Sequence, residues 1–235
     1  MRPVRSIVAL TALALAAGPL AAGAANASPP SAATVLGEAL SNARHAHWVH
    51  EFVETSFTKG GSYTQSDVVG ATSGSQVFLF GTTGVIEAIA FPARHVAYVK
   101  GTANVLRSFL RLSASVASHD AGRWLALTPA DAQYTGVVQG MTLNSDFSSI
   151  LPRSGKISFG PNTAVNGTRA RTIVITSGHG TTAEQIVVVV PLSGRLLPLG
   201  ARAQTPTASA VVAWTKWGVP AHLTAPSGAV PLAAK

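Results

Sequence analysis

The spacing of apolar positions changes character several times along the chain. Residues 7–20 are apolar without a charge, interrupted only by Thr11, Gly18 and Pro19, and Arg2 and Arg5 precede them. After a short Pro-containing lead at residues 28–31, Val35, Leu36, Ala39, Leu40 and Ala43 fall on one stripe of residues 32–43, which predicts an amphipathic helix. From His47 the rhythm becomes that of strands. Residues 48–57, 62–71 and 76–80 are rich in Val, Phe, Tyr and Thr and separated by Gly60-Gly61 and Ser73-Gly74; further strands are predicted at 85–91 and 95–100, divided by Pro92. Polar residues interleave with apolar ones, as in antiparallel hairpins with one wet face.

The middle of the chain returns to helical spacing. Val105, Leu106, Phe109 and Leu110 mark residues 104–112, and 131–151 read as further helix, giving two or three short helices around a strand at 122–127 that Pro129 ends. Strands follow at 156–159, 169–176, 184–190, 197–204 and 210–217, with turns at Asn166-Gly167, 178–180 and Ser193-Gly194. The tail from Pro226 to Lys235 is expected to be loose. The order helix, meander, helices, meander implies an α+β domain: one broad curved antiparallel β-sheet, unclosed as a half-barrel and covered on its concave face by helices.

The N-terminal run is read as a secretory leader. Gly18-Pro19 breaks its helix short of the roughly 20 apolar residues a membrane span requires, and small residues lead to Ala25-Asn26-Ala27, where cleavage is expected. Removing residues 1–27 from 235 leaves 208, the size of a single domain at 28–235. Arg2 and Arg5 leave with the leader, so 15 Lys and Arg face 9 Asp and Glu. These cations are scattered singly and lack the clustered footprint of a nucleic-acid surface; nucleic acid is not an expected partner, and weak attraction to an anionic membrane surface stays open. The chain has no cysteine, which excludes disulfides, thiol chemistry and S-linked lipid anchors.

Candidate chemistry is sparse. His45, His47 and His50 form H-x-H-x-x-H, but in a strand His50 would point away from the other two, so they read as junction residues rather than metal ligands. No G-x-S-x-G elbow is present, and His119-Asp120 are adjacent, a poor arrangement for a hydrolase triad. Glu51 and Glu54 belong on opposite strand faces, which disfavours paired-carboxylate chemistry. Gly178-His179-Gly180 is a turn without the helix a phosphate loop needs. Asn166-Gly167-Thr168 fits a glycosylation acceptor, and a hairpin turn more simply. No catalytic residue, cofactor or metal is assigned, and a non-enzymatic role is expected. Phe52, Phe78, Phe80, Tyr98, Phe109 and Trp124 are expected to point inward, lining a pocket or packing the core.

Three stretches carry a family resemblance: His95-Val96-Ala97-Tyr98-Val99-Lys100-Gly101, then Gly122-Arg123-Trp124-Leu125 after a helix, and Trp214-Thr215-Lys216-Trp217-Gly218-Val219-Pro220 before Ala225-Pro226. With the N-terminal helix before a long first strand, the chain resembles the bacterial LolA/LolB-like lipoprotein-carrier superfamily over about residues 32–226. It is most similar to the actinobacterial branch with LppX- and LprG-type proteins. The resemblance implies a half-barrel with a helical plug whose interior receives acyl chains, and a ligand that is a lipid or other hydrophobic small molecule. It also leaves open an envelope protein as partner, as in the family's envelope-stress regulators. Where that branch carries a lipobox cysteine this chain has Ala25-Asn26-Ala27-Ser28, which implies a secreted or periplasmic protein without a lipid anchor.

Overall fold

The computed structural model describes residues 29–147 and 155–232. The leader and its cleavage site lie outside the described residues, as does the end of the helical stretch expected at 131–151. The chain begins with α1 (Ala32–Arg44), whose N-cap Ser31 accepts a hydrogen bond from the Thr34 backbone N–H at 3.1 Å. A meander follows: β1 (Trp48–Phe57), β2 (Ser62–Gly70), β3 (Gly74–Leu79), β4 (Val85–Phe91) and β5 (Val96–Gly101). Four short helices surround one strand: α2 (Ala103–Phe109), α3 (Ala114–Asp120), β6 (Leu125–Leu127), α4 (Tyr134–Val138) and α5 (Leu143–Phe147). The second meander is β7 (Lys156–Val165), β8 (Thr168–Ser177), β9 (Glu184–Pro191), β10 (Gly200–Gln204) and β11 (Ala208–Thr215), and β12 (Val230–Pro231) closes the chain.

All twelve strands join one sheet in the order β12-β6-β5-β4-β3-β2-β1-β11-β10-β9-β8-β7, with β7 and β12 at opposite ends and unpaired to each other, so the sheet is unclosed. The two meanders meet where β1 pairs antiparallel with β11, Glu51 opposite Trp214 and Val53 opposite Val212. The fold is therefore α+β, an open and essentially antiparallel sheet with helices on one face.

Two apolar cores lie side by side on that inner face. One gathers Leu36, Leu40 and Phe147 of α1 and α5 against Val49, Ile173, Val188 and Trp214. The other gathers Leu106, Val137 and Met141 against Ile86, Val99, Leu125 and Leu127. Strand parity decides which side chains reach them. Residues 49, 51, 53 and 55 of β1 face inward, matched by 69, 67, 65 and 63 of β2. Gly74 of β3 carries no side chain for a close-packing reason: a Cβ there would stand 2.4 Å from the Met141 carbonyl oxygen, and this approach brings the segment leading into α5 down onto the sheet.

Three expectations change. Residues 114–120 form α3, unmarked in the sequence because only Ala117 of its apolar residues is buried; Ser113 caps it. Strand β7 runs to Val165 through Gly160-Pro161, which the sheet tolerates because β7 is an edge and the register shifts between Phe159 and Asn162. The tail expected to be loose is in part structured. Val230 and Leu232 donate backbone hydrogen bonds of 3.0 and 2.9 Å to the Trp124 and Ala126 carbonyls, and Leu232 is buried in the second core.

Candidate functional site: the inner face of the sheet

Toward the tips of the β1–β2 and β3–β4 hairpins the helices give way and the inner face is only partly covered. Inward parity brings Phe57, Tyr63, Phe78 and Phe80 together there, and Phe109 at the end of α2 completes the group. Ring centroids are 5.7 Å apart for Tyr63 and Phe80, 5.9 Å for Tyr63 and Phe78, and 6.1 Å for Phe78 and Phe109. These are the separations of favourable aromatic pairs. Phe57 and Phe109 remain 45% and 39% exposed, so the cluster is a surface as well as a packing element.

An open groove of about 270 Å³ runs along it, lined by Phe80, Thr83, Asn104, Val105, Ser108 and Phe109. On the other side of β1 the inward residues of β10 and β11 are small: Ala203, Ala208 and Ala210, with Val212 one step deeper, all half-buried. Aromatic wall and alanine floor form one apolar surface. Larger grooves elsewhere, of about 390 and 400 Å³, mix in charged groups, at Glu87 and Lys100 and at His119, Asp120 and Arg123.

Of the six aromatics expected inside, Phe78, Phe80 and Phe109 meet in this cluster, while Phe52, Tyr98 and Trp124 are on the outer face. Phe52 alternates with inward Glu51 and Val53 and is 46% exposed. Tyr98 lies between buried Ala97 and Val99 and turns outward to the Phe91 ring. Trp124 precedes buried Leu125 and lies 4.9 Å beneath the Lys100 ammonium, which is itself paired with Glu87 at 3.0 Å. The outward orientation follows from parity, because small Ala97 and branched Val99 fill the space beneath the sheet.

The histidines of H-x-H-x-x-H do not converge. His45 caps α1 with Nδ1 2.7 Å from the Ser41 carbonyl, His47 takes a left-handed backbone at the helix-to-strand junction, and His50 faces outward near Lys216. His119 and Asp120 share a 2.8 Å contact, with Arg123 at 3.4 Å. Glu51 and Glu54 lie on opposite faces. Asn166 and Gly167, both with positive φ, form the tight turn between β7 and β8.

Deeper than the aromatic cluster lies a polar layer that sequence reasoning missed. Glu51 and Asp67 face each other across β1 and β2, both buried, and Gln76 continues the row on β3. The Trp214 indole N–H donates to Glu51 Oε2 at 3.0 Å, the Gln65 amide donates to Asp67 Oδ2, and Asp146 of α5 lies near enough to both carboxyls to feel their charge. Burial, and after it the neighbouring Glu51, push the Asp67 carboxyl up to about 8. Burial likewise raises Glu51, against the opposing effect of the Trp214 hydrogen bond, and raises Asp146, to which Glu51 adds. The signal available in sequence was parity: Glu51 shares a strand face with Val49 and Val53, and Asp67 shares one with Val69.

No family model matches the chain, and no curated protein matches it. Among solved structures it is similar to LprF from Mycobacterium bovis, at 11% identity over 84% of this chain and 97% of that one, with a TM-score of 0.54. It is also similar to the lipoprotein LppX of Mycobacterium tuberculosis (13% identity, 81% and 98% coverage, TM-score 0.49). An uncharacterised conserved protein from Thermus thermophilus follows (9% identity, 83% and 97% coverage, TM-score 0.42). The LprF match establishes a shared fold over most of both chains.

Proposed function

We propose that this chain, folded as LprF is, is an exported binding protein that takes the hydrocarbon part of a lipid or similar apolar molecule on the inner face of its sheet. The observation that carries this reading is the uncovered surface of Phe57, Tyr63, Phe78, Phe80 and Phe109 beside the alanines of β10 and β11. A monomeric soluble protein rarely leaves a contiguous apolar surface open without a use for it. Each methylene buried there contributes about 0.8 kcal/mol, so a long acyl chain binds without a polar anchor. The reading includes cleavage of residues 1–27 and release without a lipid anchor, since the chain has no cysteine. No described helix is long and apolar enough to cross a membrane.

The test is organic extraction of natively purified protein followed by mass spectrometry, together with titration by a fluorescent long-chain acyl probe. Co-extracted lipid and saturable probe binding support the reading. A consistently empty protein that leaves the probe in solution overturns it, as does a stoichiometric polypeptide partner covering the aromatic cluster.

A further inference from the structure

The face of the sheet turned away from the helices is itself uncovered. Strand parity sends Phe52 and Glu54 of β1, Val211 and Ala213 of β11 and Arg202 of β10 outward, and all five are exposed, Val211 by 49%. Glu54 stands directly opposite Val211, and Arg202 stands opposite Val211 from the other side, so an acid and a base lie one strand to either side of the same valine. Neither charge has an opposite charge beside it. Glu54 is flanked by Thr64 and Val211, Arg202 by Val187 and Val211, and among the described residues neither forms an ion pair.

We propose that this outer face is a self-complementary interface that takes a second copy of the chain, about a two-fold axis running along β11 over Val211. A rotation about an axis parallel to the strands exchanges left and right across the sheet. The residue one strand to one side of Val211 therefore meets, in the second copy, the residue one strand to the other side. Glu54 then lies over Arg202 of the second copy and Arg202 over its Glu54, two charge pairs from one symmetry operation. One level along the strands, Phe52 lies over Gly200 of the second copy, so an exposed ring meets a position without a side chain. Farther out, Thr64 falls over Val187 and Leu79 over Val174, uncharged against uncharged.

Two twisted sheets pack face to face with their strands about 30° apart. An axis midway between the two strand directions keeps residues one strand from it within reach of long side chains such as Arg and Glu. A twisted sheet this broad curls toward its helices, so contact on the outer side concentrates on the middle strands β9, β10, β11, β1 and β2. Strands about 4.8 Å apart and five residues of about 3.4 Å each give a face of about 24 by 17 Å. That is the low end of specific interfaces, so the pair is weak and forms with concentration. Both inner faces point away from the axis, which leaves the aromatic groove of each copy open; the pairing stands whether or not that groove takes a lipid.

Sedimentation velocity of the purified chain at about 1–300 µM, a range suited to an interface of this size, tests the proposal. The expected result is a monomer–dimer equilibrium that Arg202→Glu and Glu54→Arg each weaken by about tenfold or more, since each reversal sets like charges together twice. The chain carrying both reversals should regain the parent's association to within about threefold, which only pairing across the axis explains. A chain that stays monomeric over the range overturns the proposal, whether or not it co-sediments with phosphatidylglycerol vesicles. So does a dimer that neither reversal weakens, or one that the double reversal fails to restore. Should a reversal fail to fold, Val211→Lys, which sets two lysines together at the axis, decides: a dimer indifferent to it overturns the interface.

Discussion

Trp214 donates its indole N–H to Glu51 across 3.0 Å, joining residues 163 apart in sequence at the strand pair where the two meanders meet. The bond gives a buried carboxyl a donor, and the Trp214 ring packs on Phe147 of α5 from the same position. One side chain thus ties the second meander to the first and both to a helix.

Trp214→Phe keeps much of the ring and removes the donor. The buried Glu51 oxygen then loses its partner, a loss of about 1–3 kcal/mol, and the Glu51 carboxyl moves further upward because the Trp214 bond is the largest of the effects that oppose its rise. Denaturant unfolding at neutral pH, compared with the parent chain, measures the loss; an unchanged midpoint would show that the bond carries no net stability.

Stability should fall as pH rises. Asp67 is raised from 3.8 to about 8 by burial and by Glu51, so the folded chain binds more protons than the unfolded one between those values. The contribution of protonated Asp67 is complete below pH 4, declines through the interval and is gone above about 8. Thermal melts should give a higher Tm at pH 5 than at pH 8, and Asp67→Asn, an isosteric neutral group, should reduce that difference. A Tm that climbs over this range would contradict the burial of these acids in neutral form.

Gly74→Ala should destabilise the chain and loosen the segment entering α5. The added methyl would lie 2.4 Å from the Met141 carbonyl oxygen, and its nearest neighbours are all backbone atoms of Met141, which cannot swing aside as a side chain could. Overpacking of this kind costs about 1–3 kcal/mol, readable as a shift in denaturation midpoint, whereas Gly37→Ala on α1, with open space around the site, should not lower it.

For ligand binding the decisive contrast is between faces. Phe109→Ala removes an inward, partly exposed ring of the aromatic cluster and should weaken acyl-probe affinity by about tenfold, the equivalent of roughly 1.4 kcal/mol of lost apolar contact. Phe52→Ala removes a ring of similar exposure from the outer face and should leave affinity unchanged. Equal effects from both would place the probe elsewhere.

Local features were legible in the chain itself. Period-two alternation bounded by glycine located β1 and β4 to the residue, and the apolar stripe located α1, because strand and helix rhythms are set by neighbours a few positions away. The α+β class and the single broad sheet followed from the order of these elements, and the fold implied by the family resemblance agrees with the one LprF shares. Phe78, Phe80 and Phe109 could be named in advance as inward residues. Phe52, Tyr98 and Trp124 could not be separated from them, since an aromatic residue fits either face of a strand whose other side also carries apolar groups.

Tertiary structure decided which parity faces the helices, and with it everything that depends on contact between distant segments. The pairing of β1 with β11 sets Trp214 over Glu51, α5 brings Asp146 to the same place, and two residues of the tail complete the edge beside β6. In sequence a carboxylate reads as solvent-facing because an isolated charge is too costly to bury. Only packing that brings the Trp214 indole to Glu51 and closes the helices over both acids makes burial of Glu51 and Asp67 affordable, and no local pattern records that those partners will arrive.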